Sequence, residues 1–264
     1  MRQYIATQPL NSQGLLIVSG KDFRYLRKVL RLKIGDMLTV RLQDGSICNA
    51  TICTVDDTAN RIVIQPAAHT KHLAHTANSI SWWLFQFVPQ PKKMELIVRQ
   101  AVECGVSYIV PIAGEFSQKS SLEVLQKDAA KNNRFNRIIK EARQQSGSPI
   151  DTCILPLCTI EQALKLWQET VAKDSTFAVV LYEQTTGTIS VHRAAALHES
   201  IRHAAVFCGC EGGISPQEIA VLQNARIVPV HFRTNILRCE TAAVYGMAVL
   251  QSLITEQDEW QLKE

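Results

Sequence analysis

Residues 207–219 read F-C-G-C-E-G-G-I-S-P-Q-E-I and follow an apolar run at 204–207 that is typical of a buried strand. Three glycines within five positions predict a sharp turn whose backbone can approach a ligand closely. A helix start comes next, because Ser215 and Glu218 form an S-x-x-E capping box and Pro216 suits the first helical position. This stretch therefore predicts a strand, a glycine-rich loop and a helix whose free N–H groups face the loop.

A second unit of the same kind occupies residues 226–246, which read R-I-V-P-V-H-F-R-T-N-I-L-R-C-E-T-A-A-V-Y-G. The pattern predicts a short strand at 226–230, a loop, and a long small-residue helix from about 236 to 255. Two such units side by side indicate one site built from two loops.

The composition sets broad limits on the class of protein. The chain has 264 residues, enough for one large or two small domains, and its net charge of +4 permits nucleic-acid binding without requiring it. We expect no membrane span, since no apolar run reaches about 18 residues. The spacing of the eight cysteines fits neither a disulfide framework nor a zinc site, and no secretory leader stands at the start, so we expect reduced thiols in a cytoplasmic protein.

The first part of the chain, residues 1–70, is predicted to be a small β-barrel domain. Short strand patterns fall at 15–18, 37–42, 47–55 and 61–65, and Asp44-Gly45 supplies hairpin chemistry between two of them. The exception is residues 21–32, where apolar residues recur at helical spacing. A linker at 71–78 follows; His69, His72 and His75 lie in or beside it and are interpreted as solvated side chains, so no metal site is expected.

The predicted helix at 21–32 is strongly basic, and residues 21–33 include six basic side chains against the single acid Asp22: Lys21, Arg24, Arg27, Lys28, Arg31 and Lys33. Such a segment is either a solvated helix face or a surface that binds RNA phosphates, because clustered cations release counterions from RNA. A second basic stripe, Arg134, Arg137, Lys140 and Arg143, lies on a predicted long helix over 122–145.

From residue 79 to 264 strand and helix patterns alternate, which predicts an α/β domain with a mostly parallel sheet and helices on both faces. Ligands in such sheets bind beyond the carboxyl ends of the strands. Three strand ends are candidates for the site: Glu183, the glycine loop at 208–213, and the second loop at 231–238.

These two loops resemble the family of ribosomal RNA small subunit methyltransferase E. The first loop matches at Gly209, Glu211, Gly212, Gly213, Ser215 and Glu218, and the second at Ile236, Leu237, Arg238, Glu240, Thr241 and Ala242. The resemblance extends to Lys28-Val29-Leu30-Arg31 before Gly35-Asp36, and to Arg134-Phe135 with Gln145-Ser146. It implies a PUA-like N-terminal RNA-binding domain and a SPOUT methyltransferase domain with a C-terminal trefoil knot, acting as a homodimer.

The resemblance also implies an activity. These enzymes use S-adenosylmethionine to methylate N3 of a uridine in 16S rRNA of the small ribosomal subunit. The residues that carry over are Arg238, Glu240 and Glu211 as catalytic candidates; Gly209, Glu211, Gly212, Gly213, Val230, Ile236, Leu237 and Thr241 for the cofactor; and Arg24, Arg27, Lys28, Arg31, Arg134 and Arg137 for RNA. Arg238 is the first candidate, because a guanidinium is always charged and could stabilise a developing uracil anion.

The chain departs from the family at three places, and these keep two alternatives open. Cys210 stands where a proline is usual, His231-Phe232 where Leu-Gly is usual, and Gly147 where a basic residue is usual. The alternatives are a SPOUT methyltransferase for another RNA site and an RNA-binding protein that has lost its cofactor pocket. A dinucleotide or P-loop enzyme is a poor alternative, since neither G-x-G-x-x-G nor G-x-x-x-x-G-K-S/T occurs in the chain.

Overall fold

The computed structural model describes residues 3–67, 80–128, 133–170, 176–195 and 201–255. The linker 71–78 and His69, His72 and His75 lie outside the described residues. The chain divides into two compact units, one of Met1–Ala77 with Arg143–Pro149 and one of Asn78–Ala142 with Ile150–Glu264. The boundaries predicted from the sequence, 1–70 and 79–264, stay a prediction.

The first unit is built on a five-stranded mixed sheet. Its strands are β1 (Gln3–Ile5), β2 (Leu16–Ser19), β3 (Met37–Arg41), β4 (Ile47–Asp56) and β5 (Arg61–Pro66), in the order β1-β3-β4-β5-β2. Only the β1–β3 pair is parallel, and alternate side chains such as Ile62 and Ile64 fill a single core. The predicted small barrel is thus a half-barrel whose outer strands are β1 and β2. The sequence reading missed β1, which is only three residues long.

The basic segment is less regular than predicted. Helix α1 (Gly20–Arg24) passes into a π-helical turn, Tyr25–Val29, in which Leu30 N–H donates to Tyr25 O at 3.0 Å. Arg31 then takes a left-handed conformation with φ of +58°, so the helix stops short of Leu32. The helical spacing was correct for Phe23 and Leu26, which are buried, but not for the end of the segment.

The second unit contains a six-stranded sheet in which every strand pair is parallel. Its strands are β6 (Ser81–Phe87), β7 (Tyr108–Ile112), β8 (Cys153–Ile154), β9 (Thr176–Leu181), β10 (His203–Cys208) and β11 (Val228–Val230), in the order β11-β9-β10-β6-β7-β8. The central strands are mostly apolar and almost wholly buried, because both faces of a parallel sheet are covered by helices. This confirms the predicted α/β fold.

The helices of the second unit bury two apolar cores, one on each face of the sheet. They are α2 (Pro91–Glu103), α3 (Lys119–Lys127), α4 (Arg134–Ser146), α5 (Ile160–Thr170), α6 (Val191–Ala195), α7 (Pro216–Asn224) and α8 (Cys239–Thr255). The residues of α4 from Arg143 onward are assigned to the first unit. Within the described ranges, no helix is long and apolar enough to cross a membrane. The trefoil knot stays a prediction.

The single helix predicted over 122–145 is wrong, because α3 and α4 are separate. Asn133 has a left-handed φ of +46°, which no helix interior accommodates. Asp128 then accepts hydrogen bonds from the N–H groups of Arg134 at 3.0 Å and Phe135 at 3.2 Å. The aspartate therefore satisfies free donors at the start of α4, a role that apolar periodicity alone does not reveal.

Candidate active site

A cavity of about 420 Å³ opens at the carboxyl ends of β9, β10 and β11. Its walls come from the three strand ends identified in the sequence, which contribute residues 181–183, 208–214, and 230–232 with 234–239; Lys93 and Ala242 complete them. Strand ends that are distant in sequence meet here because β9 lies between β10 and β11 in the sheet. The predicted convergence of these three strand ends is confirmed.

The glycine loop is a tight turn whose shape depends on missing side chains. Gly213 N–H donates to Cys210 O at 3.0 Å, and Gly213 has φ of +79°. A Cβ placed on Gly209 would come within 2.8 Å of the Gly213 carbonyl carbon, so a larger residue there would force the turn open. The backbone of the loop is therefore exposed to the cavity at close range.

Gln86 anchors the start of this loop through hydrogen bonds, and it was not among the site residues predicted from the sequence. Its side chain is fully buried at the end of β6, and its Nε2 donates to Cys208 O at 3.1 Å and Gly209 O at 3.0 Å. Because a buried amide that loses its partners costs free energy, these bonds fix the end of β10 against β6. A buried glutamine in an otherwise apolar strand was the signal in the sequence.

The capping box predicted for α7 is present. Ser215 Oγ accepts from Glu218 N–H at 3.2 Å, and Glu218 Oε2 accepts from Ser215 N–H at 2.9 Å. The second carboxylate oxygen, Oε1, accepts from Glu115 N–H in the β7–α3 connection at 2.8 Å. One glutamate thus caps α7 and fastens a neighbouring loop to it.

The second loop keeps the cavity open despite the two residues that differ from the family. His231 Nδ1 lies 3.2 Å from Tyr182 O, and Phe232 packs edge-to-face on Tyr245 with ring centroids 4.9 Å apart. Cys210 is buried in the apolar core beside the glycine loop. Cys210, His231 and Phe232 therefore line the cavity without closing it.

Lys93, near the start of α2, joins the two loops and was not among the predicted site residues. Its Nζ lies 3.1 Å from Glu211 Oε1 and 3.9 Å from Glu240 Oε2. Glu211 Oε1 also accepts from Gln90 N–H at 3.0 Å, and Cys239 Sγ donates to Glu240 Oε2 at 3.3 Å. The lysine therefore ties α2, the glycine loop and the start of α8 into one charged cluster.

The cluster sets the ionisation of its members. Hydrogen bonding to Glu211 raises the pKa of Lys93. Burial alone would raise the pKa of Glu211, but hydrogen bonds from the Gln90 N–H group and from Lys93 lower it. The pKa of Glu240 is also lowered, because its own N–H group, Cys239 and Lys93 outweigh the effect of burial. Burial raises the pKa of Cys239 to about 12. At neutral pH the site therefore holds a lysinium ion, two carboxylates and a neutral thiol.

The structure distributes the predicted site residues unevenly around this cavity. The lining includes these eight: Gly209, Glu211, Gly212, Gly213, Val230, Ile236, Leu237 and Arg238. Of these, Ile236 is 85% exposed. Glu240 is not in the lining but contacts Lys93, which is. Thr241 lies on α8, exposed and outside the lining.

The predicted RNA-binding residues are exposed or partly exposed, and three of them already have acidic partners. Arg27 pairs with Asp57 through Nε at 3.0 Å and a terminal nitrogen at 2.9 Å. Arg134 pairs with Glu95 at 2.7 Å, and Arg137 lies 3.9 Å from Glu141. Arg24, Lys28 and Arg31 are exposed. No group of three potential metal ligands occurs in the part of the chain that the structure describes.

Family models define the class of this protein. Residues 76–251 match the RNA methyltransferase domain family, and residues 18–57 match the RNA methyltransferase PUA domain. The chain is 23% identical over 251 residues to ribosomal RNA small subunit methyltransferase E of Bacillus subtilis, covering 93% of each chain. It is 24% identical over 257 residues to ribosomal RNA small subunit methyltransferase E 2 of Borreliella burgdorferi, covering 97% of this chain and 99% of the relative.

Solved structures share the fold over nearly the whole chain. Ribosomal RNA small subunit methyltransferase E from Neisseria gonorrhoeae, bound to S-adenosyl methionine, superposes with a TM-score of 0.76 at 20% identity, covering 96% and 98% of the two chains. A putative methyltransferase from Legionella pneumophila in complex with the same cofactor gives 0.76 at 23% identity, covering 95% and 96%. The two family models identify the protein as an RNA methyltransferase with a PUA domain, and its fold is that of the SPOUT class. Within that class, the chain belongs to the ribosomal RNA small subunit methyltransferase E family.

Proposed function

We propose that the protein methylates N3 of a uridine in 16S rRNA with S-adenosylmethionine as methyl donor. The observation that carries this proposal is the open cavity formed by the glycine loop and the loop that ends at Arg238. Membership of the family and the cofactor in the Neisseria and Legionella structures support the same reading.

The residues present fit this cofactor. Apolar side chains of Leu181, Val230 and Leu237 offer a wall for the adenine ring, and the carboxylates of Glu183 and Glu211 suit a ligand that carries positive charge. Gly209, Gly212 and Gly213 line the cavity without side chains, so a ligand can hydrogen-bond with the main chain of the loop. The cofactor supplies a methyl group activated by a positively charged sulfur.

Arg238 would bind and orient the uracil. Uracil N3 loses its proton when it is methylated, and the negative charge spreads to the ring oxygens, where a guanidinium can donate hydrogen bonds. Arg238 is exposed at the edge of the cavity, and its carbonyl accepts from Ala242 N–H at 2.7 Å, which anchors its backbone to the first turn of α8.

Glu211 and Glu240 would position Lys93 and the two loops rather than remove the N3 proton. Both carboxylates have lowered pKa values, which makes them weak bases, and both face Lys93. Proton transfer is most efficient when the pKa of the base lies near the working pH.

The first unit would bind the RNA. Its exposed basic residues Arg24, Lys28 and Arg31 fall in or beside the segment that matches the PUA model, and cations grouped in this way bind phosphates. We further propose a homodimer, with the exposed Tyr245 side of α8 as the contact, and a cytoplasmic location with the ribosomal RNA.

Calorimetry with S-adenosylmethionine and single-turnover methyl transfer to small subunits that lack the modification test this function together. We expect micromolar binding of the cofactor and transfer of one methyl group. Arg238→Ala should bind the cofactor within a few-fold of the wild type but lose at least 100-fold in methyl transfer. Arg233→Ala, an exposed residue of the same loop, is the matched control and should keep both activities. Normal turnover by Arg238→Ala would remove this residue from the mechanism.

A further inference from the structure

Phe116 is the most exposed aromatic residue in the described parts of the chain. Its side chain lies in the β7–α3 connection, and the residue is 45% exposed. The other two exposed aromatic side chains, Tyr108 and Tyr245, each pack against a ring, Trp83 and Phe232 respectively. For Phe116 no ring contact exists among the described residues. A single exposed apolar residue is ordinary on a protein surface, so the role of Phe116 depends on where its ring lies.

The position of Phe116 relates it directly to the cavity. A Cβ placed on Gly212 would lie 2.7 Å from Phe116 Cβ and 3.1 Å from its Cγ, so the phenylalanine packs on the bare α-carbon of a residue that lines the cavity. Because Gly212 has no side chain, Phe116 can sit at the edge of the glycine loop.

The backbone that carries Phe116 is firmly held. Glu115 N–H donates to Glu218 Oε1 at 2.8 Å, and Ser117 N–H donates to Gly114 O at 3.0 Å. A Cβ on Gly114 would come within 2.4 Å of the Phe87 ring, so this turn is packed directly onto the end of β6. A rigid, exposed aromatic ring loses little conformational entropy on binding.

We propose that Phe116 is a base-stacking residue of the RNA site, against which a nucleobase of the substrate packs when the target uridine enters the cavity. This inference rests on the proposed function. An unpaired base offers a flat π-face, and proteins that bind single-stranded RNA commonly place it on an aromatic side chain. The ring beside Gly212 of the glycine loop supplies such a face, while Arg238 supplies positive charge at the edge of the cavity.

Single-turnover methyl transfer at varied concentrations of unmethylated small subunits tests the proposal. Phe116→Ala and Phe116→Leu should each raise the half-saturating RNA concentration by roughly 5- to 100-fold, since leucine keeps the apolar bulk but lacks the π-face. Phe116→Trp should restore it to within about threefold of the wild type. Cofactor affinity measured by calorimetry should stay unchanged in all three, which shows that the glycine loop is intact.

The outcomes separate this inference from the function on which it rests. If the wild type transfers no methyl group to any RNA of the subunit, the proposed function fails and the stacking role falls with it. If the wild type is active and Phe116→Leu or Phe116→Ala saturates at the wild-type RNA concentration, the stacking role alone is overturned. The predicted rise with rescue by tryptophan would establish it.

Discussion

At the scale of single residues, the site depends on charges that compensate one another at its edge. Lys93 lies between Glu211 of the glycine loop and Glu240 of the first turn of α8, so no member of the cluster is left as an isolated charge. The sequence identified both carboxylates but not the lysine, because Lys93 lies more than 100 positions from its partners and reads locally as part of a helix start. Ile236 is the opposite example, because the sequence motif predicts it as a cofactor-binding residue, yet the residue is 85% exposed.

Replacing Lys93 should lower the stability of the protein by an amount that depends on pH, because the partners of Lys93 are carboxylates. We expect Lys93→Met to lower the free energy of unfolding by roughly 0.5–1 kcal/mol at pH 7, as for other partly exposed ion pairs, and to slow methyl transfer. The pKa of Glu211 is lowered in the folded state, so ionised Glu211 stabilises the fold. This stabilisation is fully present above the unfolded pKa of about 4.3, and it is lost as the pH falls through the pKa of the folded state.

The wild type and Lys93→Met should therefore converge in stability once the pH falls below the lowered pKa of Glu211, as measured by urea unfolding across the pH range. Lys92→Met, a change at the exposed neighbouring position, is the control and should match the wild type at every pH. A Lys93→Met deficit that stays constant down to pH 2 would show that the lysine acts through packing alone.

At the scale of elements, a helix start whose cap forms within one turn can be predicted from the sequence, whereas a break that depends on a left-handed residue and a more distant cap cannot. The capping box of α7 follows from four residues and appears as predicted, because its bonds form within one turn. The break between α3 and α4 was missed, since it depends on Asn133 adopting a left-handed conformation and on Asp128 bonding to the start of α4. Amphipathic spacing continues through that break and cannot show it.

Ser215→Ala tests the cap of α7. Removing the hydroxyl leaves Glu218 N–H without its acceptor, so we expect a loss of about 1 kcal/mol in the free energy of unfolding from chemical denaturation. Gln217→Ala changes an exposed position in the same helical turn and should stay within about 0.5 kcal/mol of the wild type. Equal stability of the two variants would contradict the role assigned to the cap.

At the scale of the whole molecule, alternation of strands and helices was sufficient to predict the parallel sheet, and the carboxyl-end rule located the cavity. The order of the strands was beyond the sequence, because it depends on which neighbours β9 and β10 select in the sheet. The first unit was predicted less completely: β1 joins the sheet by pairing in parallel with β3 over only three residues.

The RNA-binding role of the first unit has a salt-dependent signature. Lys28→Gln and Arg31→Gln should each weaken binding to small-subunit RNA and reduce the slope of log affinity against log salt by about one. Arg27→Gln should change the slope less, because its guanidinium is already paired with Asp57. Filter binding over a series of salt concentrations measures these slopes. Unchanged slopes for Lys28→Gln and Arg31→Gln would place the RNA contact elsewhere.

We propose above that methyl transfer to N3 of a uridine in 16S rRNA takes place at this cavity. Mapping the modified nucleotide is the direct test of this proposal. Small subunits that lack the modification would be treated with the wild type and with Arg238→Ala, and the RNA would be digested and analysed by mass spectrometry. We expect a single N3-methyluridine in 16S rRNA with the wild type and almost none with Arg238→Ala. A methyl group on another atom or another RNA, or equal methylation by both proteins, would contradict it.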